Sequence, residues 1–142
     1  MIAFPYRREQ SQLLGAIYRP VAEVYFRDLQ GNELVSFMYV DSGADITLIP
    51  QSFGESLGFV VEQKDVSSIR GVGNAMVPVI IRKAPMRIGT EEFEARIAWA
   101  LDENVPPLLG RTDVFDRFNI HFRQSKRLTE FRPVRRQRSQ KP

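Results

Sequence analysis

A mostly-β closed barrel or closed sandwich with one or two short helices is the fold this sequence predicts. Three observations carry that expectation. Short apolar runs rich in β-formers recur along the chain. Turn residues, chiefly glycine, asparagine and aspartate, separate them. Only two stretches carry signals of a helix, and both are brief. At 142 residues, 43% of them hydrophobic, the chain is long enough for one domain with a real core.

Residues 1–20 read as an N-terminal extension in which 12–18 form either a short helix or a strand. Val21–Arg27 and Leu34–Val40 read as two strands joined by Asp28-Leu29-Gln30-Gly31-Asn32, a hairpin. The second is nearly all apolar, so it is expected to be buried on both faces. It ends in Asp41-Ser42-Gly43-Ala44-Asp45. Ile46–Ile49 is a short strand, and Pro50 opens a helix over 51–57 that Gly58 terminates. Phe59-Val60-Val61 reads as a strand. Ser67–Val77, with Gly71 and Gly73 at its centre, reads as a hairpin with a flexible tip. Val79–Ile81 and Met86–Ile88 continue the sheet. Phe93, Ala95, Ile97 and Trp99 alternate with less apolar residues as a half-buried strand. Leu108-Leu109-Gly110 is a brief strand, Arg111–Arg117 a helix begun by Thr112 or Asp113, and Phe118–Arg123 the last clear strand. The domain thus spans 21–123.

Charge is uneven. Residues 123–142 carry eight lysines and arginines against one acid, whereas the preceding residues carry twelve against sixteen. Residues 124–142 are expected to be a flexible basic tail. Binding of nucleic acid or of an acidic partner through this tail is the alternative reading, but only Phe131 could stack on a base, so nucleic acid is not the expected partner. The chain has no cysteine and one histidine, His121. That excludes disulfides, a thiol nucleophile and a cysteine zinc site, and it leaves no basis for a metal or a Ser–His pair. No cofactor is expected. No apolar run reaches 18 residues, so no membrane partner is expected, and a cytoplasmic setting fits.

Read alone, Asp41-Ser42-Gly43 is a turn, since all three residues favour turns. Yet Asp41 lies between two apolar segments, where a carboxylate is costly unless it is hydrogen-bonded or paired. Three blocks then resemble one family. Val40-Asp41-Ser42-Gly43-Ala44-Asp45 is similar to the signature of retropepsin-like aspartic proteases, the single-domain retroviral type. Ile69-Arg70-Gly71-Val72-Gly73-Asn74 resembles their glycine-rich flap. Pro107–Phe115, containing Leu108-Leu109-Gly110-Arg111, resembles their apolar-Gly-Arg segment. The resemblance covers roughly residues 34–123. The long N-terminal segment and the basic tail depart from the retroviral pattern and suggest a prokaryotic cellular relative.

The resemblance implies a retropepsin-like barrel, peptide-bond hydrolysis, and a role for each residue. Asp41 would be the catalytic carboxylate. The chain holds one Asp-Ser-Gly, so a homodimer would supply the second. Ser42 would brace the pair, Gly43 would give an amide, and Ala44 would be small beside the cleft. Asp45 would pair with Arg111 to lock the loop; a solvated surface pair is the plainer alternative. Gly71, Val72 and Gly73 would close over an extended peptide, and Ile46, Val72 and Leu109 would line apolar pockets. A dimeric binding module with weak or no activity would share all of these features.

Overall fold

The computed structural model describes residues 1–135. Its strands are β1 (Ile2–Pro5), β2 (Arg7–Ser11), β3 (Gly15–Arg19), β4 (Val21–Arg27), β5 (Glu33–Val40), β6 (Thr47–Ile49), β7 (Val66–Arg70), β8 (Met76–Ile88), β9 (Glu91–Ala100), β10 (Leu108–Leu109), β11 (Phe118–Arg123) and β12 (Leu128–Pro133). One α-helix, α1 (Gln51–Ser56), follows β6.

The main sheet runs β4-β5-β10-β6-β9-β8-β7, and β4 also pairs with β8 through Tyr25↔Arg87 and Phe26↔Met86. That extra pairing closes six strands into a barrel and leaves β7 hanging on β8 outside the ring. β5 and β4 form the expected hairpin, with Tyr39 opposite Val21 and Glu33 opposite Arg27. β10 runs parallel to β5 and β6 runs parallel to β9, so short segments from distant parts of the chain meet beside the end of β5.

Helix α1 ends as its sequence dictates. Gly58 has φ +98°, its amide donates to Glu55 O at 2.9 Å, and the Phe59 amide donates to Gly54 O at 3.0 Å. This paired capping needs a left-handed residue, and glycine adopts that conformation without a Cβ clash. Gly54 within the helix has a different reason. A Cβ there would lie 2.1 Å from the indole of Trp99. The ring, fully buried, donates from Nε1 to Gln51 O at 2.9 Å. Trp99 thus packs directly against the helix backbone and belongs to a core that includes Phe26, Met38, Ile97 and Phe131.

A second, smaller apolar cluster comprises Leu48, Val79, Ala98 and Ala100, with Ile46, Ile69, Val77 and Leu108 packed against it. This explains why β9 alternates only at first. Its last residues, 97–100, are buried on both faces, one toward each cluster.

Several expectations are corrected. β5 is covered on both faces only near its end; Val35 and Phe37 are 44% and 51% exposed. Phe59–Val61 forms no strand, because no neighbouring strand offers it a ladder, and Val60 is 72% exposed. Val79–Ile81 and Met86–Ile88 belong to one 13-residue strand, β8. The helix expected over 111–117 is a turn followed by a single 3-10 turn at Phe115–Arg117. Asp113 there has φ +64°, which no right-handed helix can contain.

The expected tail begins instead with structure. Leu128–Pro133 forms β12 between β1 and β11, with Thr129 and Phe131 fully buried. Arg123, at the end of β11, pairs with Glu130 at 3.0 Å. Both ends of the chain thereby join one three-stranded sheet, and Phe131 packs edge-on to Phe4 and Phe118. The remainder of the expected tail, residues 136–142, lies outside the described residues.

Candidate active site

Asp41 is the first residue after β5, where the ladder gives way to a turn. Its amide still donates to Leu109 O at 3.0 Å, and its carbonyl accepts from the Ala44 amide at 3.1 Å. The Gly43 amide donates to the Asp41 carboxylate at Oδ1, 2.9 Å away. A Cβ on Gly43 would sit 3.2 Å from that oxygen, closer than most real contacts, so glycine keeps the carboxylate accessible to the amide.

The loop is stitched to the segment that follows β10. Arg111 N donates to Ala44 O, and Thr112 N donates to Asp45 O, both at 2.9 Å. The Thr112 hydroxyl reaches the same Asp45 carbonyl at 2.7 Å. Behind them, Gly110 N donates to the hydroxyl of Thr47 at 3.0 Å, and Thr47 is fully buried. A Cβ on Gly110 would fall 2.3 Å from the Ile46 carbonyl carbon, so here two backbones touch directly. The glycine of the third sequence block is therefore a packing requirement.

Asp45 and Arg111 do meet, through a single Nη2···Oδ1 contact of 2.5 Å. Their side chains are 87% and 56% exposed, so the pair is closer to the solvated alternative than to a buried lock. Exposed pairs contribute about 0–1 kcal/mol. The backbone bonds and the buried Thr47 hydroxyl hold the loop instead.

Across from the loop stand β7 and β8, paired antiparallel from Val66↔Ile80 to Arg70↔Met76. Their tip is a tight turn. Gly71 N donates to Ala75 O at 2.6 Å, Gly73 has φ +70° and Asn74 has φ +63°. Val72 at the apex is 99% exposed. Between tip and loop runs a groove of about 550 Å³. Asp41, Gly43, Ala44 and Asp45 line one side and Ile69, Arg70, Gly71 and Val72 the other, with Ile46, Leu48, Val77 and Leu108 between them.

The structure thus brings Asp41, Gly43, Ala44, Asp45, Ile46, Gly71 and Val72 to one groove. Ser42 and Gly73 do not line it: Ser42 lies exposed on the loop and Gly73 at the turn beyond Val72. Leu109 is a correction. It is fully buried in the core, and its neighbour Leu108 faces the groove. In a strand of period two, one residue's shift changes the face. Sequence reasoning also missed Thr47 and Thr112. The signal for Thr47 was a lone hydroxyl inside the apolar run Ile46–Ile49, which demands a partner.

A second carboxylate is not supplied by the segment after Arg111. Asp113 is fully occupied by Arg96, whose amide and Nε both reach Oδ2, at 3.0 and 2.8 Å, while Nη2 reaches Oδ1 at 3.1 Å. These bonds hold the Asp113 carboxyl down at about 2. His121 is exposed on β11 and Trp99 is core. Among the described residues no cluster of three or more metal-binding side chains is present, and no helix is long and apolar enough to cross a membrane.

The protease from EIAV, solved with the inhibitor HBY-793, superposes with a TM-score of 0.51 at 19% identity, covering 72% of this chain and 88% of that one. A retropepsin-like aspartic protease from Rickettsia conorii superposes equally well, again at 19% identity, over 75% of this chain and 94% of that one. At such identities the likeness is one of fold. DNA damage-inducible protein 1 of Yarrowia lipolytica is 26% identical over 102 residues, which make up 69% of this chain. This chain spans about a quarter of that relative's length, the match covering 25% of it. The model of the aspartyl protease family matches residues 28–112, from the β4–β5 turn through Asp41 and the groove to Thr112. The chain therefore belongs to the aspartyl protease family and has the retropepsin-like fold.

Proposed function

We propose that the chain is an aspartic endopeptidase that works as a homodimer in a reducing, cytoplasmic setting. The observation that carries this reading is the position of Asp41. It stands at the mouth of a groove beneath a glycine-tipped hairpin, with one backbone donor on its carboxylate and one Asp-Ser-Gly in the whole chain.

Two carboxylates sharing a proton can do what one cannot. The ionised member takes a proton from a water molecule as that water attacks the peptide carbonyl. The protonated member polarises the carbonyl and then delivers a proton to the departing amine. Like charges at close range cannot both ionise cheaply, so the pair titrates as a unit. A two-fold axis beside Asp41 would bring the same residue of the partner subunit opposite it through an isologous interface. The exposed Ser42 hydroxyl would then brace the two loops. The Gly71–Gly73 turn would close over the substrate and exclude water. An extended peptide would add main-chain hydrogen bonds, with Ile46, Val72 and Leu108 receiving apolar side chains.

The test is incubation of the purified chain and an Asp41→Asn variant with denatured casein. The wild type is expected to cleave it, with activity per molecule rising with protein concentration. The variant is expected to lose at least about a thousand-fold in rate while remaining folded. Equal cleavage by both would discard the protease reading. A dimer that binds peptide with neither variant cleaving would favour the binding-module alternative.

A further inference from the structure

The ribbon formed by β2 and β3 has few ties to the barrel. It is a two-stranded sheet of its own, and none of residues 7–19 is buried. An isolated two-stranded ribbon is marginal in water and needs a further surface to pack on. Its turn presents Leu13 and Leu14, 88% and 71% exposed. That turn is ordered: the Ser11 hydroxyl accepts the Leu13 and Leu14 amides at 3.3 and 3.2 Å. Two adjacent leucines are therefore held out into water by design of the turn, and only a second surface would cover them.

The root of the ribbon is clamped to the strand that delivers Asp41. The Tyr39 hydroxyl donates to Glu9 Oε2 at 2.7 Å, and Arg7 donates to the same oxygen at 2.8 Å. Arg19 reaches Glu9 Oε1 at 3.2 Å. Both guanidinium groups lie over the Tyr39 ring, 5.2 and 5.7 Å from its centre. Tyr39 is two residues before Asp41. Arg19 and Asp41 also border one groove of about 240 Å³, which no residue of the hairpin tip lines. The ribbon thus springs from beside Asp41, where a second copy would arrive if two copies complete the carboxylate pair. The terminal strands are already used, since β1 and β11 both pair with β12 inside the chain.

We propose that the β2–β3 ribbon is an arm that grips a second copy of this chain, burying Leu13 and Leu14 against it. The arm rests on the reading that two copies complete the site. Two-fold symmetry makes the grip reciprocal, so each dimer buries four leucines. The Tyr39 cluster joins the arm's root directly to the strand carrying Asp41.

Sedimentation velocity across a concentration series tests this on three proteins: the wild type, Leu13→Asp/Leu14→Asp, and Val60→Asp. Val60 is also strongly exposed but lies outside the ribbon, in the segment between α1 and β7. The wild type and Val60→Asp are expected to dimerise with the same Kd. The arm variant should dimerise about 100-fold more weakly or worse. Its unfolding temperature should match that of the wild type at concentrations where both are monomeric, and its casein cleavage should recover at high protein concentration. Because the chain has no cysteine, Leu14→Cys carrying an environment-sensitive dye gives an independent readout. Its emission should shift to the blue as the dimer forms, whatever the folding of the double variant. An arm variant that assembles like the wild type, or a dye that reports no change on dimerisation, overturns the arm. Should the wild type dimerise and cleave through Asp41 in that case, the protease reading stands and only the arm falls. A wild type that stays monomeric at every concentration and cleaves no better than Asp41→Asn sinks the reading and the arm together.

Discussion

The two walls of the groove are built on opposite principles. The Asp41 loop is fixed from many sides: by its own ladder bond to Leu109, by bonds from Arg111 and Thr112, and by a buried hydroxyl under Gly110. The β7–β8 tip is fixed only from within, by Gly71 to Ala75, and its apex residue Val72 is 99% exposed. Both walls use glycine, but for different reasons. Gly110 is there because a backbone lies against it, whereas Gly73 is there because the chain must turn left-handed in open space. A reacting group has to be held within a fraction of an ångström. A cover has to move.

Substitutions can sharpen or break this contrast. The largest effect on stability is expected for Gly110→Ala, where the new methyl meets the Ile46 carbonyl group with no space to yield. It should cost about 3 kcal/mol or more by denaturant unfolding. A small loss would mean that the two backbones separate easily and that the loop is not held as described. Thr47→Val comes next. It keeps the shape but leaves the Gly110 amide buried without an acceptor, at about 1–3 kcal/mol. Thr47→Ser, which restores the acceptor, should recover part of that loss. Gly73→Ala should cost about 1 kcal/mol, since the site is open and only the left-handed conformation resists. If Gly73→Ala proved as damaging as Gly110→Ala, the tip would be packed rather than free.

The smallest effect concerns acid. Arg96 lowers the Asp113 carboxyl to about 2 in the folded chain, whereas an unfolded chain titrates near ~3.9. A depressed folded value contributes stability that is complete above the unfolded value and disappears as pH falls through the folded one. Unfolding of the wild type should therefore become easier between about pH 4 and pH 2. Asp113→Asn, which tolerates the left-handed backbone, should flatten that slope and leave the Asp41 loop in place. An unchanged slope would show that the pair is too solvated to matter.

Some of this was legible in the residues, and what was not has physical causes. The hairpins at 21–40 and 67–77 declared themselves through β-forming runs around turn residues, and Gly58 marked its helix end. β12 did not: in Leu128-Thr129-Glu130-Phe131-Arg132 the two apolar residues are three apart, and the surrounding basic charge reads as solvated chain. The face it buries carries Phe131 together with a hydroxyl, that of Thr129, which no apolar pattern marks. Phe59–Val61 has the composition of a strand but no neighbour to pair with, and pairing is not written locally. The helix expected after Arg111 fails at Asp113, where the distant Arg96 decides the backbone. In the site, Asp41, Ile46 and the glycine-tipped turn could be named, but the choice of Leu108 over Leu109 depends on which face of a two-residue strand looks outward.

Strand β8 has two mechanically distinct halves. Its far half is a stave of the barrel, bound to β9 and touching β4, while its near end carries the turn above the groove. Below Val79 its second neighbour ends, since the β9 ladder begins at Val79↔Ala100. The cover is thus a cantilever set in the barrel wall: from Met76 to Pro78 only β7 pairs with the strand, whereas from Val79 onward β9 holds it as well. Whatever bends the overhang loads the wall at Val79, whose side chain sits in the same small cluster as Leu48 beneath the groove floor.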